Sequence, residues 1–299
     1  METVPSQKGR VTIVTGSNVG LGYETTLALA KKKGKVIMAC RNQQKAEQAR
    51  DQILKEVPEA ELEIRMLDLG SLAKVRAFAQ GILADYDQLD LLINNAGVMI
   101  PPFSLTEDKF ESQMGVNYFG HFLLTGLLLP LLEKTEGARI VSLSSKAHER
   151  GKIDFGNLHA EKEYSKIGAY SQSKLACLMF AYELDRRLKA SGSRVLSVAA
   201  HPGVSNTDLG RHINKVLLYL LYPVFMLMIH SPRKAALPTL MAALDTNVSG
   251  GDYFGPAGRR GTKGPPAKVE AMPHAHDKEV ARKLWEVSEE LVDFRFDFS

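Results

Sequence analysis

Short apolar runs alternate with longer amphipathic stretches from the start of the chain to about residue 200. Runs of five or six apolar or β-branched residues are typical of buried strands, and the stretches between them have the spacing of helices. This alternation predicts a doubly wound α/β fold, a parallel sheet with helices on both faces. The predicted strands are 10–15, 35–40, 62–67, 89–94, 138–144 and 194–200, with a short last strand near 252–254.

The pattern predicts a single domain over residues 1–299, because no repeat or long linker interrupts it before residue 250. After the sixth strand it becomes irregular at 205–235, and 255–276 is rich in glycine and proline before a closing helix at 277–291. Ligands of open α/β sheets bind beyond the carboxyl ends of the strands. We therefore expect the irregular segments 205–235 and 255–276 to shape a substrate pocket, with 255–299 as a C-terminal loop and helix.

The segment 216–229, VLLYLLYPVFMLMI, is apolar throughout but short, and it contains Pro223. A bilayer span takes about 20 apolar residues, so no transmembrane segment is predicted. A lid or wall over an apolar pocket is the favoured interpretation. Peripheral contact with a membrane surface and an oligomer interface stay open.

Composition and charge narrow the class of protein. The chain is 44% hydrophobic and 24% charged, as expected of a globular protein, and its net charge of +4 is scattered, which argues against nucleic-acid binding. Cys40 and Cys177 fit no disulfide or metal spacing, and no apolar stretch precedes the first strand, so a cytoplasmic location without a signal peptide is expected. His274 and His276 lack further ligands, so no metal site is predicted.

A glycine-rich turn, TGSNVGLG at 15–22, follows the first predicted strand directly. Gly16, Gly20 and Gly22 permit a tight turn and let a pyrophosphate approach the following helix. The spacing differs from G-x-G-x-x-G, and a turn without a ligand is the alternative interpretation. Its place in the first βα unit favours a Rossmann-type dinucleotide site.

The second predicted strand ends in MACRN, which puts Arg41 where an NAD-binding fold has an acidic residue. A guanidinium pairs with the 2′-phosphate of NADP(H), whereas a carboxylate repels it. We therefore predict NADP(H) over NAD(H), with Ser17 and Asn42 as neutral donors to that phosphate; a solvated strand-end charge is the alternative for Arg41. Asp68 is assigned to the adenine amine, or else to capping the next helix.

Tyr170 and Lys174 lie four positions apart in the predicted helix AYSQSKLACLMFAYELDRRL at 169–188. Side chains at this spacing share a helix face, and an ammonium favours the phenolate of a nearby tyrosine. Such a pair can transfer a proton, although chance placement on an amphipathic helix explains the pair taken by itself.

With NNAG at 94–97, the motifs TGSNVGLG and YSQSK occur in an order that resembles the short-chain dehydrogenases/reductases. MACRN, the segment HPGVSNT at 201–207 and the long interval before Tyr170 resemble the branch of retinol dehydrogenases and WW-domain oxidoreductases. The resemblance implies a catalytic tetrad of Asn117, Ser145, Tyr170 and Lys174. It also implies cofactor contacts at Gly16, Ser17, Asn18, Gly20, Leu21, Gly22, Arg41, Asn42, Asp68, Leu69, Asn95, Ala96, Gly97, Tyr170, Lys174, Pro202, Gly203, Val204 and Thr207.

The roles implied by this resemblance are specific. Tyr170 exchanges a proton with the substrate oxygen, Ser145 stabilises that oxygen, Lys174 contacts the nicotinamide ribose, and Asn117 orients a water. Ser144 competes for the serine role, because only one of two neighbours on a strand faces the cleft. Helices flanking the site pair subunits in many members, so a homo-oligomer is one expectation.

The expected activity is NADP(H)-dependent interconversion of a carbonyl and an alcohol on a lipophilic small molecule, as in a carbonyl reductase or a retinol dehydrogenase-like enzyme acting on CH–OH donors. Two alternatives remain open at this point. One is an enzyme like light-dependent protochlorophyllide reductase, and the other is a non-catalytic protein that senses NADP(H).

Overall fold

A single eight-stranded sheet organises the computed structural model, which describes residues 5–203, 231–258 and 261–298. Within those residues the strand order is β3-β2-β1-β4-β5-β6-β7-β8, and every neighbouring pair is parallel except β7 and β8. The strands are β1 Val11–Thr15, β2 Lys35–Cys40, β3 Leu62–Met66, β4 Leu91–Asn94, β5 Arg139–Leu143, β6 Leu196–Ala200, β7 Tyr253–Pro256 and β8 Pro266–Lys268. The predicted doubly wound α/β fold is confirmed.

Helices cover both faces of the sheet. Alternate strand residues point to opposite faces, so Ile13 and Leu92 pack against one helical layer while Val14 and Ile93 pack against the other. The described helices are α1 Gly20–Lys31, α2 Gln43–Glu56, α3 Leu72–Asp85, α4 Ser112–Met114, α5 Gly120–Glu133, α6 Lys166–Ser191, α7 Pro232–Ala235, α8 Leu237–Leu244 and α9 Lys278–Leu291. Helices α3, α5, α6 and α9 lie on the first face, and α1 and α8 on the second.

Two local expectations are wrong. Strand β8 lies within the glycine- and proline-rich stretch 255–276, for which the sequence predicts no strand; Pro265 precedes β8 and Pro266 is its first residue. An edge strand tolerates proline, so the pairing of β8 with β7 is set by tertiary contact rather than by local pattern. Asp68 does not cap α3, because that helix begins after Ser71; the Asp68 carboxylate instead accepts a hydrogen bond from Gly70 N at 3.0 Å.

The helical stretch Ser112–Glu133 is long and apolar enough to cross a membrane, but 83% of its apolar window is buried in the protein. It includes α5, a core helix between the sheet and an aromatic cluster. A Cβ on Gly126 of α5 would overlap the ring of Phe294 and lie 2.9 Å from Phe296, so glycine is required where this aromatic segment packs. Phe296 also contacts Phe122 with a ring-centroid distance of 4.9 Å.

The predicted pocket segment 205–235 is described only at 231–235. The apolar segment 216–229 and the predicted cofactor contacts Val204 and Thr207 lie outside the described residues. Their interpretations therefore stay predictions, as do the single-domain boundaries.

Candidate active site

The glycine turn follows β1, which lies beside β4 in the sheet. At this point the order of the strands changes direction, since β2 and β3 extend to one side of β1 and β4, β5 and β6 to the other. Gly16 and Gly20 have φ of +65° and +56°, which glycine adopts without strain. A Cβ on Gly22 would overlap Gly16 O and lie 2.6 Å from Asn95 Nδ2. The turn therefore packs tightly on the end of β4 and opens a crevice at the switch point, the usual ligand position in this architecture.

A cleft of about 380 Å³ runs from the glycine turn to the start of α6. It brings together most of the residues that the sequence assigned to the cofactor, and it joins them to the predicted catalytic pair. The predicted residues that line it are Gly16, Asn18, Gly20, Leu21, Gly22, Arg41, Asn42, Leu69, Asn95, Ala96, Gly97, Tyr170, Lys174 and Pro202.

One end of the cleft carries two cations. Arg41 follows β2, and Lys45 lies in the first turn of α2, where its backbone N donates to Asn42 Oδ1 at 2.9 Å. The Asn42 cap thus fixes the start of α2 and brings Lys45 to the same end as Arg41. Sequence reasoning missed Lys45, although a lysine in the first turn after the strand-end arginine was a readable signal.

Among the described residues, three predicted cofactor contacts do not line this cleft. Ser17 is fully buried, and its Oγ lies 3.1 Å from Cys40 Sγ, whose thiol pKa is raised by burial. Asp68 lines a neighbouring pocket that also includes Arg41, and its carboxylate is 3.8 Å from Lys74 Nζ. Gly203 donates its N–H to His201 Nδ1 at 3.2 Å.

At the other end of the cleft, Lys174 is 6% exposed and donates from Nζ to Leu143 O at 3.0 Å. Its Nζ lies 5.9 Å from the ring centroid of Tyr170, so the predicted pair does share one helix face. A Cβ on Gly97 would be 3.5 Å from the same Nζ, so the loop after β4 approaches the ammonium closely.

The two serines at the end of β5 are placed differently. Ser144 is 2% exposed, lines the cleft, and donates its hydroxyl to Lys174 O at 2.8 Å. Ser145 begins a 3₁₀ turn at Lys146–Arg150, where its Oγ accepts from Ala147 N at 3.2 Å. The Ser144 hydrogen is thus committed to the backbone of α6, whereas Ser145 Oγ acts as an acceptor and keeps its own hydrogen for another partner.

Asn117 lies in a π-helical turn, Gly115–Phe119, between α4 and α5. Such turns are rare and occur often at functional sites. Asn117 Oδ1 accepts from Val98 N at 2.7 Å, and Nδ2 donates to Val98 O at 3.0 Å and to Ser173 Oγ at 2.9 Å. Asn117 therefore ties the loop after β4 to α6, a function that its predicted role with a water did not include.

His201 and the neighbouring Pro202 follow β6 on the catalytic side. Burial lowers the pKa of His201 to about 3, with the charges of nearby His148 and Lys146 acting in the same direction. A Cβ on Gly255 of β7 would overlap the His201 ring, which shows how tightly the imidazole is packed. The neutral ring accepts from Gly203 and so shapes the chain beside the cleft.

A family model described as short chain dehydrogenase matches residues 10–217. The chain belongs to the short-chain dehydrogenase family. The matched part includes the glycine turn, Asn117, both serines and the Tyr170–Lys174 pair. The residues that line the cleft therefore all fall within the part of the chain that the family model matches.

Named relatives match this short-chain dehydrogenase over most of its length. Human retinol dehydrogenase 13 is 44% identical over 297 residues, covering 97% of this chain and 86% of that protein. Mouse retinol dehydrogenase 14 is 42% identical, covering 95% and 86% of the two chains. Human retinol dehydrogenase 12 is 41% identical, covering 97% and 88%. The chain is thus an oxidoreductase of the retinol dehydrogenase branch.

Solved structures agree with this fold. A protein from Mycobacterium paratuberculosis superimposes with a TM-score of 0.83 and 39% identity, covering 99% of this chain and 98% of its own. A short-chain dehydrogenase from Escherichia coli CFT073, solved with NADPH, has a TM-score of 0.63 and 24% identity over 83% of this chain and 98% of its own. At that identity the second match supports the fold.

Proposed function

We propose that this short-chain dehydrogenase uses NADP(H) to interconvert a carbonyl and an alcohol on a lipophilic small molecule. The observation that supports this most directly is one continuous cleft, with Arg41 and Lys45 at one end and Tyr170 with Lys174 at the other. A dinucleotide is long enough to span the cleft from one end to the other.

The two ends have complementary chemistry. Arg41, Lys45 and the NH₂ group of Asn42 suit a 2′-phosphate that carries nearly two negative charges, and a carboxylate that would repel it is not among the residues lining the cleft in the described part of the chain. The glycine turn and the start of α1 suit the pyrophosphate, since a helix N-terminus attracts anions. The residues present therefore fit NADP(H), which supplies the hydride when bound.

At the catalytic end, Tyr170 would hold or accept the proton of the substrate oxygen, and the Lys174 ammonium would favour the phenolate form. Ser145 Oγ would donate to the same oxygen as negative charge develops on it. Asn117 would keep the loop after β4 in place beneath the lysine. A lipophilic substrate is proposed because the relatives that match most of the chain are named retinol dehydrogenases.

Nicotinamide absorbance tests this proposal. The purified protein is incubated with a panel of aldehydes, ketones and alcohols, all-trans retinal and retinol among them, with NADPH or NADH. We expect turnover with NADPH, faster than with NADH, and higher kcat/KM for long apolar aldehydes than for short polar ones. Failure to oxidise or reduce either dinucleotide with any substrate would overturn the proposal, and equal rates with NADH would overturn its cofactor preference.

A further inference from the structure

A buried hydrogen-bond chain passes through His121, which is 3% exposed and lies in α5. Its Nε2 is 2.9 Å from Thr15 Oγ1 at the end of β1, and its Nδ1 is 3.0 Å from the Asn117 carbonyl. Beyond Asn117 the chain continues, because Asn117 Nδ2 donates to Ser173 Oγ, which donates to the Tyr170 carbonyl, each at 2.9 Å. The glycine turn and the catalytic helix are thus connected through one imidazole.

The direction of each hydrogen bond follows from counting donors. A carbonyl only accepts, so His121 Nδ1–H must donate to Asn117 O. Burial lowers the pKa of His121 to about 4, so the ring is neutral near pH 7 and Nε2 is an acceptor. Thr15 Oγ1 accepts the N–H groups of Asn95 and Ala96, each at 2.9 Å, and gives its own hydrogen to Nε2.

The two bonds of His121 are not equally replaceable. Without Nε2, the Thr15 hydroxyl still has Ile93 O at 3.3 Å. Without Nδ1–H, the Asn117 carbonyl keeps a 3.2 Å contact with Cys177 Sγ, and a thiol is a weak donor. The bond to Asn117 therefore has the weaker side-chain substitute, and it is the one that the variants below test first.

Asn117 occupies a position where a small shift reaches the reacting groups. A Cβ on Gly97 would lie 3.1 Å from Asn117 Oδ1 and 3.5 Å from Lys174 Nζ, so the amide and the ammonium border the same residue. We propose that His121 is a positioning residue, which holds the Asn117 carbonyl so that the π turn keeps the amide and the loop at Gly97 in register with Lys174 and Tyr170. This inference rests on the proposed function, because its main readout is turnover.

Two substitutions separate the two bonds. In His121→Asn the side-chain NH₂ takes the place of Nδ1 and keeps the donor to Asn117, while the acceptor for Thr15 is lost. In His121→Gln the amide oxygen takes the place of Nε2 and keeps the acceptor, while the donor to Asn117 is lost. We expect kcat to fall at least tenfold in His121→Gln and less than threefold in His121→Asn, with the KM for NADPH within about threefold of wild type in both.

Thr125→Val is the matched control. Thr125 lies one turn further along α5, is fully buried, and accepts a hydrogen bond from Asn94 Nδ2 at 2.9 Å. We expect this variant to melt at a lower temperature with kcat unchanged. A loss of kcat in all three variants, or equal losses in the Gln and Asn variants, would show that His121 only supports the fold and would overturn the inference.

Two further measurements distinguish a positioning role from a general loss of stability. In histidine-labelled wild-type protein, nitrogen NMR should show His121 protonated on Nδ1, and protonation on Nε2 would overturn the inference. In His121→Gln the pH midpoint of kcat should move, whereas a purely structural defect lowers kcat by one factor at every pH. Wild-type protein that turns over no substrate would instead overturn the proposed function itself.

Discussion

The two ends of the cleft are built in different ways. The nucleotide end depends on backbone geometry at Gly16 and Gly22 and on exposed cations such as Arg41. The catalytic end depends on buried side chains, Asn117 and Lys174 among them, that bind each other and the backbone across several elements. The first end is therefore sensitive to added volume and to charge, and the second is sensitive to the loss of single polar atoms.

The largest effect is expected at the catalytic end. Tyr170→Phe should lower kcat about a thousandfold, because it removes the group that we propose exchanges a proton with the substrate. NADPH binding, followed by nicotinamide fluorescence, should change little. Tyr164→Phe removes the hydroxyl that donates to Pro101 O at 2.9 Å and serves as a control. Retained turnover in Tyr170→Phe would show that another group transfers the proton.

A Cβ at the glycine turn should affect binding instead of chemistry. In Gly22→Ala the new atom overlaps Gly16 O, and overpacking costs about 1–3 kcal/mol unless the turn moves. Because relief of this strain displaces the turn that faces the dinucleotide, we expect NADPH affinity to fall by up to about a hundredfold. Gly81→Ala in α3 is the control, since its Cβ would meet nothing closer than 3.7 Å. Unchanged NADPH affinity in Gly22→Ala, measured by calorimetry, would mean that the turn does not hold the dinucleotide.

Charge at the nucleotide end should set the choice of cofactor. Arg41→Gln should reduce the ratio of kcat/KM for NADPH to that for NADH about tenfold, a modest factor because Arg41 is exposed. Lys45→Gln should reduce it less, and Lys55→Gln, at the far end of α2, should leave it unchanged. A ratio that falls equally in all three variants would point to net charge and not to a phosphate contact.

The smallest effect concerns stability at mildly acidic pH. The pKa of His121 is about 4 in the folded protein and 6.5 when unperturbed, so the unfolded chain binds the proton more readily. The stabilisation that comes from keeping His121 neutral is therefore present above pH 6.5 and is lost as the pH falls. The free energy of unfolding should decrease by about 1 kcal/mol between pH 7 and pH 5.5 for this reason. Chemical unfolding should show a weaker pH dependence in His121→Asn, although His201 contributes a similar dependence in both proteins. Identical pH dependence in the two proteins would mean that His121 titrates normally in the fold.

Much of the nucleotide end was readable from sequence. Strand alternation gives the sheet, and glycines followed by a helix give the turn, because both are local consequences of backbone sterics. Arg41 was found from its position after a strand, and Lys45 was overlooked one helical turn later. Ser17 was assigned to the phosphate by its place in the motif, yet its side chain lies beneath the turn against Cys40.

The hydrogen bonds that hold the catalytic end together could not be predicted from the sequence in the same way. Four different elements supply the residues of this hydrogen-bond chain: β1 supplies Thr15, the π turn supplies Asn117, α5 supplies His121 and α6 supplies Ser173. Asn117 and His121 are one helical turn apart, but no local pattern relates them to Thr15 or Ser173, which lie 106 and 56 positions away from their partners, and hydrogen-bond direction depends on which atoms the fold brings close together. For the same reason β8 was missed, since its strand conformation depends on β7.

The aromatic packing of Phe294 and Phe296 on α5 has a consequence for biosynthesis. Gly126 emerges from the ribosome long before its partners, so the outer side of α5 stays uncovered until residues near 296 are made. Contacts between distant parts of a chain form slowly and leave apolar surface open to aggregation in the meantime. The helical layer that carries Tyr170 is therefore completed late in translation.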